Sequence, residues 1–372
     1  MSSTTSGTQP LLERACKDDP EELFELVDVI GNGAFGTVCS CLNKQTLEMV
    51  AVKFIPIESE DTFKLQREID IMKKIPYAPE IVKYFGCYVK DNMLLIVMEY
   101  CDGGSLMDIL RACNKTLEEA QIAAASAAVV RGLQHLHKTV KIMHRDVKAA
   151  NVLLNSKGEA KLADFGVSAQ LATSAQRQKT VIGSPYWMAP EVIDQADSDS
   201  AVGYNNKSDI WSLGITAIEL AEGKPPHYDL LPIRAILKIP NEDPPTLKDQ
   251  DKWSPAFHDF LAKCLMKDPE HRPTAQELLD HPFIKAGAKN QKHILAELVE
   301  ASMPDLIKAR LESANESDSE ETSREASWFS MEPGTVLSFN SDTMRAKIAA
   351  QPAFNNEDKD GTVVLSKKSG TS

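Results

Sequence analysis

Three short stretches place polar residues where an ordinary core would have none. The first, "GNGAFGTV" (31–38), spaces three glycines as GxGxxG between two strand-like runs. Alone that spacing is weak, because dinucleotide-binding folds and plain turns also carry it. In the dinucleotide arrangement the glycines open a helix, whereas here strands flank them. That context fits a β-hairpin lid over phosphates, with Gly31, Gly33 and Gly36 letting the backbone approach phosphate oxygens and Phe35 shielding the tip from water. The second, "AVKF" (51–54), buries Lys53 among apolar neighbours. A lysine there needs an anion, although an edge-strand lysine reaching solvent is the plain alternative. The third, "MHRDVKAANVLL" (143–154), sets a His, an Arg, an Asp, a Lys and an Asn between two apolar runs. Five polar groups in one stretch persist only with partners from elsewhere.

The flanking patterns suggest what positions these groups. Runs at 23–30, 37–43, 49–57, 80–89 and 93–100 read as strands, interrupted by one helical pattern at 61–74. On that helix Leu65, Ile69 and Met72 share a face with Glu68, so a carboxylate is available to Lys53. Beyond "CDGGS" (101–105) the texture changes to long helical patterns at 118–137, 208–222 and 255–266. In "TAQELLDHPFI" (274–284) Thr274 is the expected cap and Pro282 the expected end. A small β-rich lobe with one main helix therefore precedes a larger, mainly helical lobe, an α+β arrangement. Residues 1–22 read as a flexible N-terminal segment, 23–284 as the folded domain, 285–312 as a helical extension, and 313–372 as an acidic, Ser-rich, disordered tail. That tail repeats "GTVL" (334–337) as "GTVVL" (361–365), by chance or as linear docking motifs.

Bulk properties exclude several classes. A formal charge of −13 gives no reason to expect nucleic acid as a partner. No run approaches the roughly 20 apolar residues of a spanning helix, and the polar start lacks a secretory signal. Seven scattered cysteines without paired CxxC elements point to free thiols in a reducing compartment. The expected location is the cytoplasm.

"HRDVKAAN" followed by "LADFG" (162–166), with the Gly-rich loop, the strand lysine and "MAPE" (188–191), resembles the eukaryotic protein kinases. The resemblance implies the bilobal protein kinase fold, and it implies ATP and Mg2+. Asp146 would orient the acceptor hydroxyl or take its proton, Lys148 would neutralise the transferred phosphate, and Asn151 and Asp164 would hold the metal. Lys53 and Glu68 would clamp the nucleotide phosphates, beneath the loop of Gly31, Asn32, Gly33, Ala34, Phe35, Gly36, Thr37 and Val38. Met98 stands at the gatekeeper position, and the backbones of Glu99 and Cys101 would bond the base. Ile30, Val38, Ala51 and Leu153 would sandwich the adenine, though each also fits ordinary core.

More narrowly, "VMEYCDGGSL" (97–106), "KTVIGSPYWMAPEVI" (179–193) and "SDIWSLGITAIELAEGKPPH" (208–227) resemble the sterile-group kinases, and among them the Hippo-type Ste-like serine/threonine kinases. The resemblance implies a protein serine/threonine kinase in a signalling cascade, with protein substrates that include another kinase. Ser184 stands where relatives usually carry Thr. Asp209 would brace the catalytic loop, Glu191 would pair with Arg272, and Met72, Tyr84, His144 and Phe165 would stack. Phosphorylation of Thr180 is expected to activate, through docking on Arg145. No sustained heptad follows residue 312, so the oligomeric state stays open, with a transient dimer for trans-autophosphorylation as one option. A pseudokinase would lack one of Asp146, Asn151 and Asp164. A small-molecule phosphotransferase would not need "GSPYWMAPE", and a pure interaction protein would leave the catalytic loop unexplained.

Overall fold

The computed structural model describes residues 15–33, 36–57, 62–164, 169–170, 180–181, 184–194, 205–318 and 365–366; the side chains of 32–33, 62–64, 67, 169–170, 180–181, 313–318 and 365–366 are not described. The chain divides into two compact units, whose described residues lie within 15–70, 83–101 and 303–318 for the first, and within 71–82, 102–302 and 365–366 for the second.

The first unit is built on a five-stranded antiparallel sheet of order β1-β2-β3-β5-β4, with β1 Phe24–Gly33, β2 Gly36–Asn43, β3 Met49–Pro56, β4 Tyr84–Lys90 and β5 Met93–Glu99. A single turn, α1 (Pro20–Leu23), leads into it, capped by the Asp19 carboxylate on the Glu21 N–H at 3.0 Å. Antiparallel pairing puts partners on the same face, and the register settles which. Cys39 pairs with Val52, Cys41 with Val50, Val52 with Val97 and Phe54 with Leu95. These residues join Phe24 and Leu26 in one apolar cluster. The alternate positions fall on the opposite face, where Val38 pairs with Lys53, and Ala51 with Met98. The helix expected at 61–74 is α2 (Thr62–Lys74), which buries Leu65, Ile69 and Met72.

One strand begins later than its pattern suggests. Residues 80–82 do not extend β4. Ile81 makes an isolated parallel bridge to Leu162, and the Val82 N–H donates to Leu162 O at 2.9 Å. Their β-branched apolar character is used, but in the second unit.

The second unit is mainly helical: α3 (Leu106–Cys113), α4 (Glu119–His135), α5 (Pro190–Asp194), α6 (Ser208–Glu222), α7 (Pro232–Lys238), α8 (Pro255–Cys264), α9 (Ala275–Leu278), α10 (Pro282–Ala288) and, up to Ser302, α11 (Gln291–Asp318). Its strands are short: β6 (Ile142–Met143) pairs with β9 (Ala169–Gln170), β7 (Val152–Leu154) with β8 (Ala160–Leu162), and β10 (Thr180–Val181) with β11 (Leu365–Ser366). Helices α4 and α6 are buried along most of their lengths, as helices apolar on nearly every face must be. Phe257 stacks on Phe283 at 4.6 Å between ring centroids, and Phe260 on Phe283 at 4.9 Å.

Two boundaries differ from expectation. Thr274 caps α9 in a capping box with Glu277, but Pro282 opens α10 with His281 as its cap. Pro fits the first helical turn because its missing N–H is unpaired there anyway. Helix α11 continues to Asp318, into residues assigned above to the tail. Low hydrophobicity argues against burial, not against a helical backbone.

Candidate active site

On the sheet face opposite the apolar cluster, Gly31 pairs with Val38, which pairs with Lys53, and Lys53 pairs with Ile96. Ala51 and Met98 form the neighbouring row. Lys53 is only 8 % exposed, so its ammonium is held where a lone charge would be costly. Glu68, on α2 of the same unit, is half-buried. The two outer glycines of the loop have different reasons to be glycine. A Cβ on Gly36, whose φ is +121°, would sit 2.2 Å from the Phe54 carbonyl oxygen. On Gly31 the nearest atom would be Val38 Cβ at 3.9 Å, an ordinary contact. The fold therefore requires glycine at Gly36, whereas at Gly31 the open backbone is not used by the protein itself.

In the second unit the polar loop runs from β6 to β7. Asp146 and Lys148 are both buried. Ser184 donates from Oγ to Asp146 Oδ1 at 2.8 Å and accepts from Lys148 Nζ at 2.8 Å, while Lys148 Nζ lies 3.3 Å from Asp146 Oδ2. The carboxylate, the ammonium and the hydroxyl thus form a closed triangle. Asn151 donates from Nδ2 to the Asp146 backbone oxygen and to its Oδ2, both at 2.8 Å. With both amide hydrogens committed, its Oδ1 is the atom left for a cation. Asp164 is half-buried with a left-handed backbone, φ 60°. An amide oxygen and a carboxylate are the oxygen donors Mg2+ takes, and nucleotide phosphates complete such a shell. Among the described residues no group of three or more His, Cys, Asp or Glu is placed to hold a metal ion, which such a site does not need.

Asp209, fully buried on α6, fixes the loop backbone. Its Oδ1 accepts the Arg145 N–H at 2.8 Å, and its Oδ2 accepts the His144 N–H at 2.9 Å and lies 2.7 Å from His137 Nε2. Burial pushes the Asp209 carboxyl up, but the His137 bond and charge, His144 and the Arg145 N–H outweigh it and hold the carboxyl below its usual range. Arg145 has a left-handed φ of 70°, a conformation that side-chain-bearing residues keep only where surrounding bonds enforce it. The two Asp209 bonds supply that enforcement. His144 accepts from the Asp146 N–H at Nδ1 over 3.3 Å and lies 3.0 Å from Ala163 O at Nε2, a pair satisfied by the Nε2–H tautomer.

Two more residues hold the site without having been singled out above. Glu219, buried on α6, accepts from the Ala149 N–H and from Trp187 Nε1 through Oε2, both at 3.0 Å. It ties the loop between β6 and β7 to the "PYW" segment that follows Ser184. A lone carboxylate inside the apolar run "ITAIELA" (215–221) was its available signal. His137 stands on a π turn, Leu136–Val140, that ends α4. No spacing rule on the sequence marks such a turn. The framework pair is bidentate: Arg272 Nη1 and Nη2 donate to Glu191 Oε1 and Oε2 at 2.7 and 2.9 Å.

Other named residues divide as follows. Ala51 and Cys101 are buried, Thr37 is buried, and Ile30, Val38, Met98, Glu99 and Leu153 are half-buried. Met72 and His144 are buried in the second unit. Ala34, Phe35 and Phe165 lie outside the described residues, as do the side chains of Asn32 and Thr180. No described helix is long and apolar enough to cross a membrane. All seven cysteines are free thiols.

A family profile, Protein kinase domain, matches residues 24–284. Among curated proteins, the chain is 47 % identical over 350 residues to Serine/threonine-protein kinase dst4 of Dictyostelium discoideum, across 89 % of this chain and 72 % of that protein. It is also 47 % identical over 364 residues to Serine/threonine-protein kinase dst3 of the same organism, across 95 % of this chain and 62 % of that protein.

Proposed function

This chain belongs to the protein kinase family, and from that premise we propose that it moves the γ-phosphate of ATP directly onto Ser or Thr of protein substrates. The acceptor oxygen attacks the γ-phosphorus in line, the bond from that phosphorus to the β–γ bridging oxygen breaks, and ADP leaves. Asp146 orients the hydroxyl and takes its proton. Lys148 neutralises the transferred phosphoryl group, and Lys53, with Glu68, holds the nucleotide phosphates. Asn151 and Asp164 would hold Mg2+, which would supply charge neutralisation along the phosphates. The loop of Gly31 to Val38 covers the phosphates, and Ile30, Val38, Ala51, Met98, Glu99, Cys101 and Leu153 receive the base.

One observation carries this reading. The Ser184 hydroxyl bridges Asp146 and Lys148 at 2.8 Å on either side, so the segment after residue 183 is fastened to the catalytic pair. A protein acceptor needs such a coupling between peptide platform and catalyst. Serine or threonine as acceptor is also what the names of both relatives describe for those proteins.

The finer reading is of a Hippo-type sterile-group kinase acting in a signalling cascade, with another kinase among its substrates. Phosphate on Thr180, paired with Arg145, would order the activation segment, and a transient dimer would allow transfer between copies. The free thiols suit a cytoplasmic location. The test is a phosphosite map of purified protein incubated with ATP and Mg2+, beside an Asp146→Asn control. Phosphate on Thr180 in the wild type alone supports both activity and self-activation. Phosphate on neither protein, even after an activating sterile-group kinase is added, with an exogenous protein substrate also unmodified, refutes the catalytic reading.

A further inference from the structure

Helix α11 follows the matched kinase domain and has no part in the function proposed so far. Its first half, residues 291–302, buries Leu295, Leu298, Val299 and Ser302. What it packs against is specific. The segment 102–105 is laced to β7 and the turn after it: the Gly103 N–H donates to Leu154 O at 3.0 Å, the Leu154 N–H to Gly104 O at 2.8 Å, and the Ser156 N–H to the Asp102 carboxylate at 2.8 Å. Against this ribbon the helix lies close at two glycines. A Cβ on Gly103 would come within 2.9 Å both of Leu154 O on β7 and of Val299 Cγ2 on the helix, and one on Gly158 within 1.8 Å of the Lys292 carbonyl oxygen. Gly158 also has a φ of +72°. The N-terminal end of the helix is fastened by polar contacts: Lys292 Nζ lies 2.7 Å from Glu159 Oε1, and Arg131 bonds both Gln291 and Glu80.

The braced ribbon is the one that matters for nucleotide. Residues 102–105 directly follow Cys101, and β7 carries Leu153, both assigned to the base in the reading above. We propose that residues 291–302 are a positioning element of the nucleotide site, with Val299 as the wedge that holds Gly103 and β7 in register. Packed interiors transmit sub-ångström shifts because they have no slack, so loosening the wedge should cost nucleotide affinity before it costs turnover. This inference rests on the kinase reading for its substrate, but its first readout is binding alone.

The experiment uses the full chain with Val299→Asp, Val299→Ala and Val299→Ile. Nucleotide affinity is read with a fluorescent ATP analogue, and hydrogen exchange is followed at residues 102–105 and 152–159. Expected for Val299→Asp is about tenfold weaker nucleotide binding, faster exchange in both segments, a matching rise in KM for ATP, and kcat and KM for protein substrate within about threefold of wild type. Val299→Ala should show the same pattern in smaller measure and serves if the Asp variant does not fold. Val299→Ile should restore wild-type values. A folded Val299→Ala or Val299→Asp protein with unchanged nucleotide affinity overturns the proposal, as does an equal loss in every kinetic constant. Wild-type protein that binds the analogue and transfers no phosphate would defeat the kinase reading while leaving the binding test of the brace intact.

Discussion

Ser184 Oγ donates to Asp146 Oδ1 at 2.8 Å while Lys148 Nζ donates to the same hydroxyl at 2.8 Å. The hydroxyl is the only atom that lets one carboxylate and one ammonium share the platform side chain. Threonine keeps it, so Ser184→Thr should retain turnover. Alanine removes two bonds to charged groups, each worth about 1.5–3 kcal/mol. Some of that is recovered by the direct Asp146–Lys148 contact, so Ser184→Ala should lower kcat about 10- to 100-fold with nucleotide affinity unchanged. Steady-state kinetics beside nucleotide binding decide it; a Ser184→Ala enzyme at full turnover would remove the bridge from the mechanism.

Gly31 and Gly36 separate a ligand requirement from a folding one. Ala at Gly36 meets the Phe54 oxygen at 2.2 Å from a strained φ of +121°, and should destabilise the chain by about 1–3 kcal/mol. Ala at Gly31 meets only Val38 Cβ at 3.9 Å, so stability should hold. If the open backbone at Gly31 serves phosphate, ATP affinity falls in that variant with no loss of stability, whereas the Gly36 variant loses stability whatever it does to ATP. Thermal melts and ATP titrations of both variants test this, and equal melting losses would undo the distinction.

Lys53→Met tests the phosphate clamp. Methionine keeps the length of the side chain and removes the charge, and Glu68, being half-buried, keeps access to water for its carboxylate. The variant should still fold and melt cooperatively, at or somewhat below the wild-type temperature, and lose most phosphate transfer. Near-normal turnover would sink the assignment.

These residues also mark what the sequence could reveal. The short alternating or β-branched runs at 37–43 and 49–57 were legible as strands, while the face of Lys53 came only from the register, in which Lys53 pairs with Val38 and Ile96. The same reading failed at 80–82, where β-branched residues serve a bridge to Leu162 rather than β4. Pattern alone cannot say which neighbour a strand-like run will meet. The Asp209 and Glu191–Arg272 contacts were readable through resemblance, since their motifs stand intact. His137 was not. Its role depends on a π turn that shifts the end of α4, and no side-chain periodicity announces that insertion.

Glu191 and Arg272 should matter for stability rather than for transfer. Arg272 has no exposed side-chain surface, and its guanidinium also bonds Met266 O at 2.9 Å and Lys207 O at 2.9 Å. Removing the carboxylate strands a buried cation, so Glu191→Ala should cost about 3–5 kcal/mol. Denaturant unfolding measures this directly. A loss below about 1 kcal/mol, the range of an exposed pair, would contradict its burial.

Asp209 gives the chain an acid-sensitive joint. Its carboxyl is held below the usual range in the folded state, burial being outweighed by His137, His144 and the Arg145 N–H. A depressed folded value means the unfolded chain takes up the proton first as pH drops. The stabilisation from Asp209 is therefore complete above the ordinary Asp value of about 3.9 and is lost as pH falls through the lower folded value. Asn at this position keeps acceptor geometry at one oxygen but carries no charge, so Asp209→Asn should be less stable than wild type at neutral pH. The gap should narrow in acid. Unfolding free energies measured at several pH values from neutral to about 3 test this, and a gap that stays constant or widens in acid would show that the Asp209 charge does not hold the loop.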